Sequence, residues 1–149
     1  MSYKTLDLAI ADGIARITLN RPDQANALDR TMAQELFAAS LAVSTDPSVR
    51  AVLLTGRGKL FCGGGDLAAM DAAGDGREAM LLEMATLLHQ AIIRFNSMDA
   101  PMVVAVNGAA GGAGFSILLA GDYVIAADTA KFVSGYTASG LTPDGSSTH

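Results

Sequence analysis

Two glycine-rich segments hold the residues whose types and spacing suit chemistry at a carbonyl. The first is Phe61-Cys62-Gly63-Gly64-Gly65-Asp66-Leu67, and the second is Val106-Asn107-Gly108-Ala109-Ala110-Gly111-Gly112-Ala113-Gly114. Each follows an apolar run with strand character, at 51–54 and 102–106. The first leads into a helical pattern, and the second reads as opening directly into a helix. A glycine turn between strand and helix leaves backbone N–H groups that no side chain shields. Two such turns side by side can aim two N–H donors at one oxygen and hold it as it becomes negative, as an oxyanion hole does. Glycine clusters also make ordinary turns and close helix–sheet contacts, so the weight rests on the pair.

The flanking elements must position those turns. Leu6, Leu8 and Ile10 alternate with Ile14 to Leu19 across Asp12-Gly13, the pattern of a hairpin. Arg21-Pro22-Asp23 ends it. Asp29 caps a helix predicted to run to about residue 45, and Asp46-Pro47 stops it. Residues 49–55 form an almost continuous apolar strand, expected to be covered on both faces. Residues 71–77 read as a small, charged loop able to act as a lid. A long amphipathic helix over 78–97, a buried strand over 102–106, a short helix over 112–120 and short strands over 123–126 and 131–133 complete the order. Strand–helix alternation of this kind predicts an α/β fold with right-handed crossovers and largely parallel pairing. The final residues, 140–149, read as a loop about to deliver a further helix, which makes the chain look like a piece of a longer one.

Composition narrows the function classes. The chain has 149 residues and is taken as one domain over 1–149. A formal net charge of −5 without a basic stripe excludes a broad nucleic-acid surface. Half the residues are hydrophobic, enough for a sizeable core. Cys62 is the single cysteine, so no internal disulfide can form, and its setting among glycines reads as inert packing. The N-terminus lacks the apolar region of a signal peptide, so a cytoplasmic location is expected. Residues 100–121 carry no charge and could span a bilayer in length, yet Pro101, Asn107, Ser116 and the glycines favour a buried strand, turn and helix, and no membrane partner is expected. Gly63-x-Gly65-x-x-Ala68 fits a loose dinucleotide fingerprint but lacks a ribose-binding acid. No metal site is read from the sequence.

With these segments in place, the chain resembles the crotonase superfamily, the enoyl-CoA hydratase/isomerase fold. Ile17-Thr18-Leu19-Asn20-Arg21-Pro22 with Asn26-Ala27-Leu28 matches its opening signature. Residues 56–67 match the first oxyanion segment, and 100–114 with Gly121-Asp122 match the second. The resemblance implies a spiral of ββα turns, with a C-terminal helical region absent from this chain, and assembly as a homotrimer or hexamer. It also implies an acyl-CoA thioester substrate, with no cofactor beyond the coenzyme A that the substrate carries. The backbone N–H groups of Gly65 and Gly112 would hold the thioester oxygen. Ala25, Ala27, Leu28 and Gly63 would line the coenzyme A groove, with Asp66, Leu67 and Tyr136 also counted as substrate-binding. Asp66 reads more readily as a helix cap than as an acid catalyst.

The resemblance breaks where hydration needs it. Hydratases of this family place two glutamates where this chain has Ser116 and Tyr136, and a serine hydroxyl without a partner cannot serve as base near neutral pH. Leu141-Thr142-Pro143-Asp144-Gly145 resembles the segment in which certain enoyl-CoA isomerases place one acid, although Pro-Asp-Gly is also an ordinary turn. One carboxylate suffices to move a proton between two carbons of a dienolate. Asp144 also aligns with the nucleophile of 4-chlorobenzoyl-CoA dehalogenase, and His89 with its base. His89 is thus an alternative base, or else a packing residue. That dehalogenase supports its nucleophile with a tryptophan, and this chain has none. Isomerisation is the leading expectation. Dehalogenation or thioester hydrolysis through Asp144, hydration, and coenzyme A binding without catalysis are the alternatives.

Overall fold

The computed structural model describes residues 2–145. A hairpin of β1 (Leu6–Ala11) and β2 (Ile14–Leu19) opens the chain. Asp12 (φ 54°) and Gly13 (φ 79°) are both left-handed, which matches the right-handed twist of the flanking strands. Helix α1 (Arg30–Thr45) follows, with the Asp29 carboxylate accepting from Met32 N–H at 2.8 Å. Next come β3 (Ala51–Gly56), α2 (Leu67–Ala72), α3 (Arg77–Ser97), β4 (Met102–Val106), β5 (Ala110–Gly111) and α4 (Ala113–Leu119). Strands β6 (Tyr123–Ala126) and β7 (Phe132–Val133) end the regular structure.

The main sheet has the order β1-β2-β3-β4-β6, antiparallel only between β1 and β2. Ile17, Leu54 and Val104 share one register row and are fully buried. Their neighbours on the opposite face of β3, Leu53 and Thr55, are only half-buried, so the strand is not covered on both sides as its apolar run suggests. Helices α1 and α3 pack on each other, contributing Met32, Leu36, Met84, Leu88, Ile92 and Phe95 to the core. These recur at three- and four-residue spacing, one face of each helix.

Two expectations are corrected. The charged loop over 71–77 is the end of α2 plus a 3-10 turn (Gly74–Gly76), and Arg77 donates from Nε to the Met70 carbonyl at 3.0 Å and pairs with Asp71. The second glycine segment does not open directly into a helix. Ala110–Gly111 first pairs in parallel with Phe132–Val133, because the chain returns beside it after β6. That short sheet has no periodicity signal, and only the tertiary path creates it. Among the described residues no helix is long and apolar enough to cross a membrane. The expected loop over 140–149 falls partly outside the described residues. Its described part follows a 3-10 turn (Thr137–Ser139) closed by left-handed Gly140.

Cys62 is fully buried, and burial pushes its thiol up to about 12, with a hydrogen bond from the Gly64 backbone offsetting part of the rise. The thiol is therefore expected to resist a maleimide at pH 8 in the folded protein and to react promptly once urea unfolds it. Labelling of native protein at the unfolded rate would show that the first glycine turn is open.

Candidate active site

The two glycine turns meet backbone to backbone. Cys62 and Ala110 form a parallel bridge, with Gly111 N–H donating to the Cys62 carbonyl at 2.9 Å. A methyl group built on Gly64 (φ 99°) would lie 2.8 Å from Gly111 O and 3.4 Å from Ala113 N. One on Gly114 would lie 2.5 Å from the Cys62 carbonyl. Only glycine permits these approaches.

The amides left over are the useful ones. Leu28 bridges the first turn, donating to Gly64 O at 2.7 Å and accepting from Asp66 N–H at 2.8 Å. That parallel pairing skips Gly65, whose N–H has no acceptor among the described residues. The second donor expected from the sequence, Gly112, is corrected. Its N–H donates to the Val133 carbonyl at 3.0 Å, a consequence of the unforeseen β5–β7 pairing. The next amide, Ala113 N–H, opens α4 and has no acceptor among the described residues. Gly65 and Ala113 each carry an amide unpaired among the described residues, and both residues border one cavity.

That cavity holds about 330 Å³. Leu67, Met70, Leu81, Met84 and Leu88 give it an apolar wall, and Gly63, Leu28, Tyr136 and Asp144 border it too. Ala25, Ala27 and Asp66 do not border it. Left-handed Ala25 (φ 57°) accepts from Gly63 N–H at 2.9 Å and so backs the turn. The Ala27 carbonyl accepts from the Arg21 guanidinium. The Asp66 carboxylate caps α2 through Ala69 N–H at 3.0 Å and pairs with Arg21 at 2.9 Å.

Asp144 brings three side chains together. Tyr136 Oη lies 2.5 Å from Asp144 Oδ1, and His89 Nε2 lies 3.2 Å from Oδ2. Ser116 Oγ lies 2.7 Å from Tyr136 Oη and 2.9 Å from the Asp144 carbonyl oxygen. A methyl on Gly145 (φ 57°) would lie 2.7 Å from Ser116 Cβ, so the glycine lets the Asp144 turn seat on α4. Burial first, then the hydrogen bond to Asp144, hold the Tyr136 phenol well above the usual tyrosine range.

Three positioning residues had no local signal in the sequence. Arg21 reaches Ala27 O, Asp66 and Asp29 (3.3 Å), tying together the N-termini of α1 and α2. Buried Asn26 donates to Arg57 O and Leu60 O, both at 2.9 Å, and accepts from Arg21 N–H. Asn107 accepts from Gly56 N–H and donates to Gly58 O. Together the two asparagines fasten the loop that enters the first glycine turn. The partners Asp66, Arg57, Leu60, Gly56 and Gly58 lie tens of residues away, so only the fold reveals those contacts.

The architecture is that of the crotonase superfamily. It superposes on an enoyl-CoA hydratase from Polaromonas sp. JS666 with a TM-score of 0.86 at 35% identity, over 94% of this chain and 55% of that one. A family model described as enoyl-CoA hydratase/isomerase matches residues 9–149. The chain belongs to the enoyl-CoA hydratase/isomerase family. A probable enoyl-CoA hydratase of Rhodobacter capsulatus is 45% identical over 148 residues, covering 99% of this chain and 56% of the relative. The 1,2-epoxyphenylacetyl-CoA isomerase of Escherichia coli is 36% identical over 136 residues, covering 91% of this chain and 52% of the relative. The chain spans about half the length of the curated relatives it matches.

Burial raises the Asp66 carboxyl, but hydrogen bonds from Ala69 N–H and Arg21, with the Arg21 charge, outweigh it and hold the group below the usual range. A carboxyl lowered on folding stabilises above its unfolded pKa, and that contribution disappears as pH falls through the folded one. Asp66→Ala is expected to cost about 1–3 kcal/mol at pH 7 in urea unfolding, through the lost cap and ion pair. The gap to wild type is expected to close as pH falls below the ordinary carboxylate range. A gap independent of pH would mean the carboxylate charge contributes nothing.

Proposed function

We propose that the protein is an enoyl-CoA isomerase in which Asp144 moves the proton and the Gly65 and Ala113 amides hold the thioester oxygen. The observation that carries the reading is the single carboxylate at the cavity wall. The two positions at which family hydratases place glutamates hold Ser116 and Tyr136, and both are spent on hydrogen bonds around Asp144. A lone carboxylate is enough for isomerisation. It removes a proton from the carbon next to the thioester carbonyl, and the electron pair delocalises into a dienolate whose oxygen takes the negative charge. The amides stabilise that oxygen, and the same carboxyl returns the proton two carbons away. The apolar wall of Met70, Met84 and Leu88 keeps water from the dienolate and strengthens both interactions. The substrate is an acyl-CoA thioester, its coenzyme A is the only cofactor involved, and the full-length protein works as a homotrimer or hexamer in the cytoplasm. Family membership supports the acyl-CoA substrate.

The contact between His89 and Asp144 favours one second reading, in which Asp144 attacks the halogen-bearing ring carbon of an aryl-CoA, halide leaves, and His89 activates the water that hydrolyses the resulting aryl ester.

Incubation with a 3-enoyl-CoA is expected to yield the 2-enoyl isomer, and Asp144→Ala is expected to lower kcat by about 10²–10⁴-fold. An active Asp144→Ala variant removes the assignment. Rapid-quench mass spectrometry separates the second reading, because only a nucleophilic Asp144 leaves a covalent adduct on the 141–145 segment.

A further inference from the structure

The hydrogen bonds around Asp144 raise a question of proton count. Ser116 hydroxyl, Tyr136 hydroxyl, the Asp144 carboxyl and the Asp144 carbonyl oxygen form a closed ring, with contacts of 2.7, 2.5 and 2.9 Å. A carbonyl oxygen only accepts, and each hydroxyl owns one hydrogen. With the carboxylate ionised, two hydrogens must serve three contacts. Ser116 donates to the carbonyl and Tyr136 to Oδ1, and the two hydroxyl oxygens then face each other at 2.7 Å with no hydrogen between them. With a hydrogen on Oδ1 every contact is filled. The carboxyl donates to Tyr136, Tyr136 to Ser116, and Ser116 to the Asp144 carbonyl.

The surroundings do not relieve the shortage. Ser116 is 0% and Tyr136 6% exposed, so neither opens freely to solvent. The phenol keeps its hydrogen, since burial and then Asp144 hold it above the usual range. From α3, His89 Nε2 can donate to Oδ2 in either state and does so more strongly to the ionised carboxylate, so it opposes the protonated form, and it does so equally with and without Ser116. Tyr136 is the titratable group ahead of the 3-10 turn, and α4 contributes only the uncharged Ser116. Among the described residues no lysine, arginine or second carboxylate is ion-paired with Asp144.

We propose that Ser116 is a positioning residue that acts through Tyr136 to favour the protonated Asp144 carboxyl, the form created when Asp144 takes the substrate proton. The catalytic part of this inference rests on Asp144 being the base. In that step the substrate C–H bond breaks, an O–H bond forms on Asp144, and the electron pair stays on the dienolate. The ring then has its third hydrogen, and all three contacts are made. When the proton is returned, one contact is lost again. The pair is thus matched to the intermediate rather than to the resting enzyme, which is the kind of interaction that lowers a barrier. Ser116, unsuited to be a base, tunes the one beside it.

The test follows the Asp144 carboxyl directly. In protein carrying 13C-labelled aspartate, the Asp144 Cγ signal is assigned by its loss in Asp144→Asn and followed against pH in wild type and Ser116→Ala. Without the serine hydroxyl, Tyr136 donates to Oδ1 and no contact goes unfilled. The midpoint is therefore expected to fall by about 0.5–1 pH unit, the worth of about one hydrogen bond. The acid limb of the isomerase rate profile is expected to move down with it, with kcat lowered and KM little changed. A midpoint that stays or rises overturns the proposal. Neutron diffraction from wild-type crystals below the midpoint needs no variant. Deuterium on Oδ1, with the Tyr136 deuterium pointing at Ser116, supports the ring, whereas a Tyr136 deuterium pointing at Asp144 there overturns it. Full activity in Asp144→Ala removes the base assignment and with it the catalytic role of Ser116, and the NMR and diffraction results still judge the ring separately.

Discussion

The contact of Gly64 with Gly111 and Ala113 is the constraint from which the rest of the site follows. Two backbones approach with no side chain between them, at a distance that excludes even a methyl group. That closeness makes the Cys62–Ala110 bridge and satisfies the Phe61, Cys62 and Gly111 amides. It leaves those of Gly65 and Ala113 unpaired at one cavity. Both residues are half-buried at the cavity wall rather than sealed in the interior.

Rigidity comes from polar clamps rather than from the turns themselves, since glycine resists ordering. Arg21 bridges two helix-capping carboxylates, while Asn26 and Asn107 both hold the entering loop. These side chains are at least partly shielded, and Asn26 is wholly buried with its amide fully engaged. Donors arranged in advance cost no reorganisation when charge develops, which is the physical basis of oxyanion stabilisation. The carboxylate faces a different problem. Asp144 sits on a loop, and it is steadied by Tyr136 and His89 on its two oxygens and by Ser116 on its carbonyl.

The legible parts of the chain were those whose signal is local. The Asp12-Gly13 hairpin, the Asp29 cap of α1 and the apolar stripe of α3 each occupy a short window, and each appears where its pattern places it. The α2 cap at Asp66 was legible for the same reason. The Gly112 assignment failed by one residue because the choice of donor depends on which carbonyl β7 presents. That strand enters from about twenty residues further along the chain.

By itself the sequence determined the α/β order, the buried faces, the glycine turns and the presence of one eligible acid at Asp144, because periodicity, capping and φ preference act over a few residues. Only the tertiary structure decided which amides stay free, that Arg21 joins Asp29 to Asp66, and that Ser116, Tyr136, His89 and Asp144 are joined by hydrogen bonds. Hydrogen bonds are settled by distances of a few tenths of an ångström between atoms far apart in the chain, and no local pattern encodes those distances.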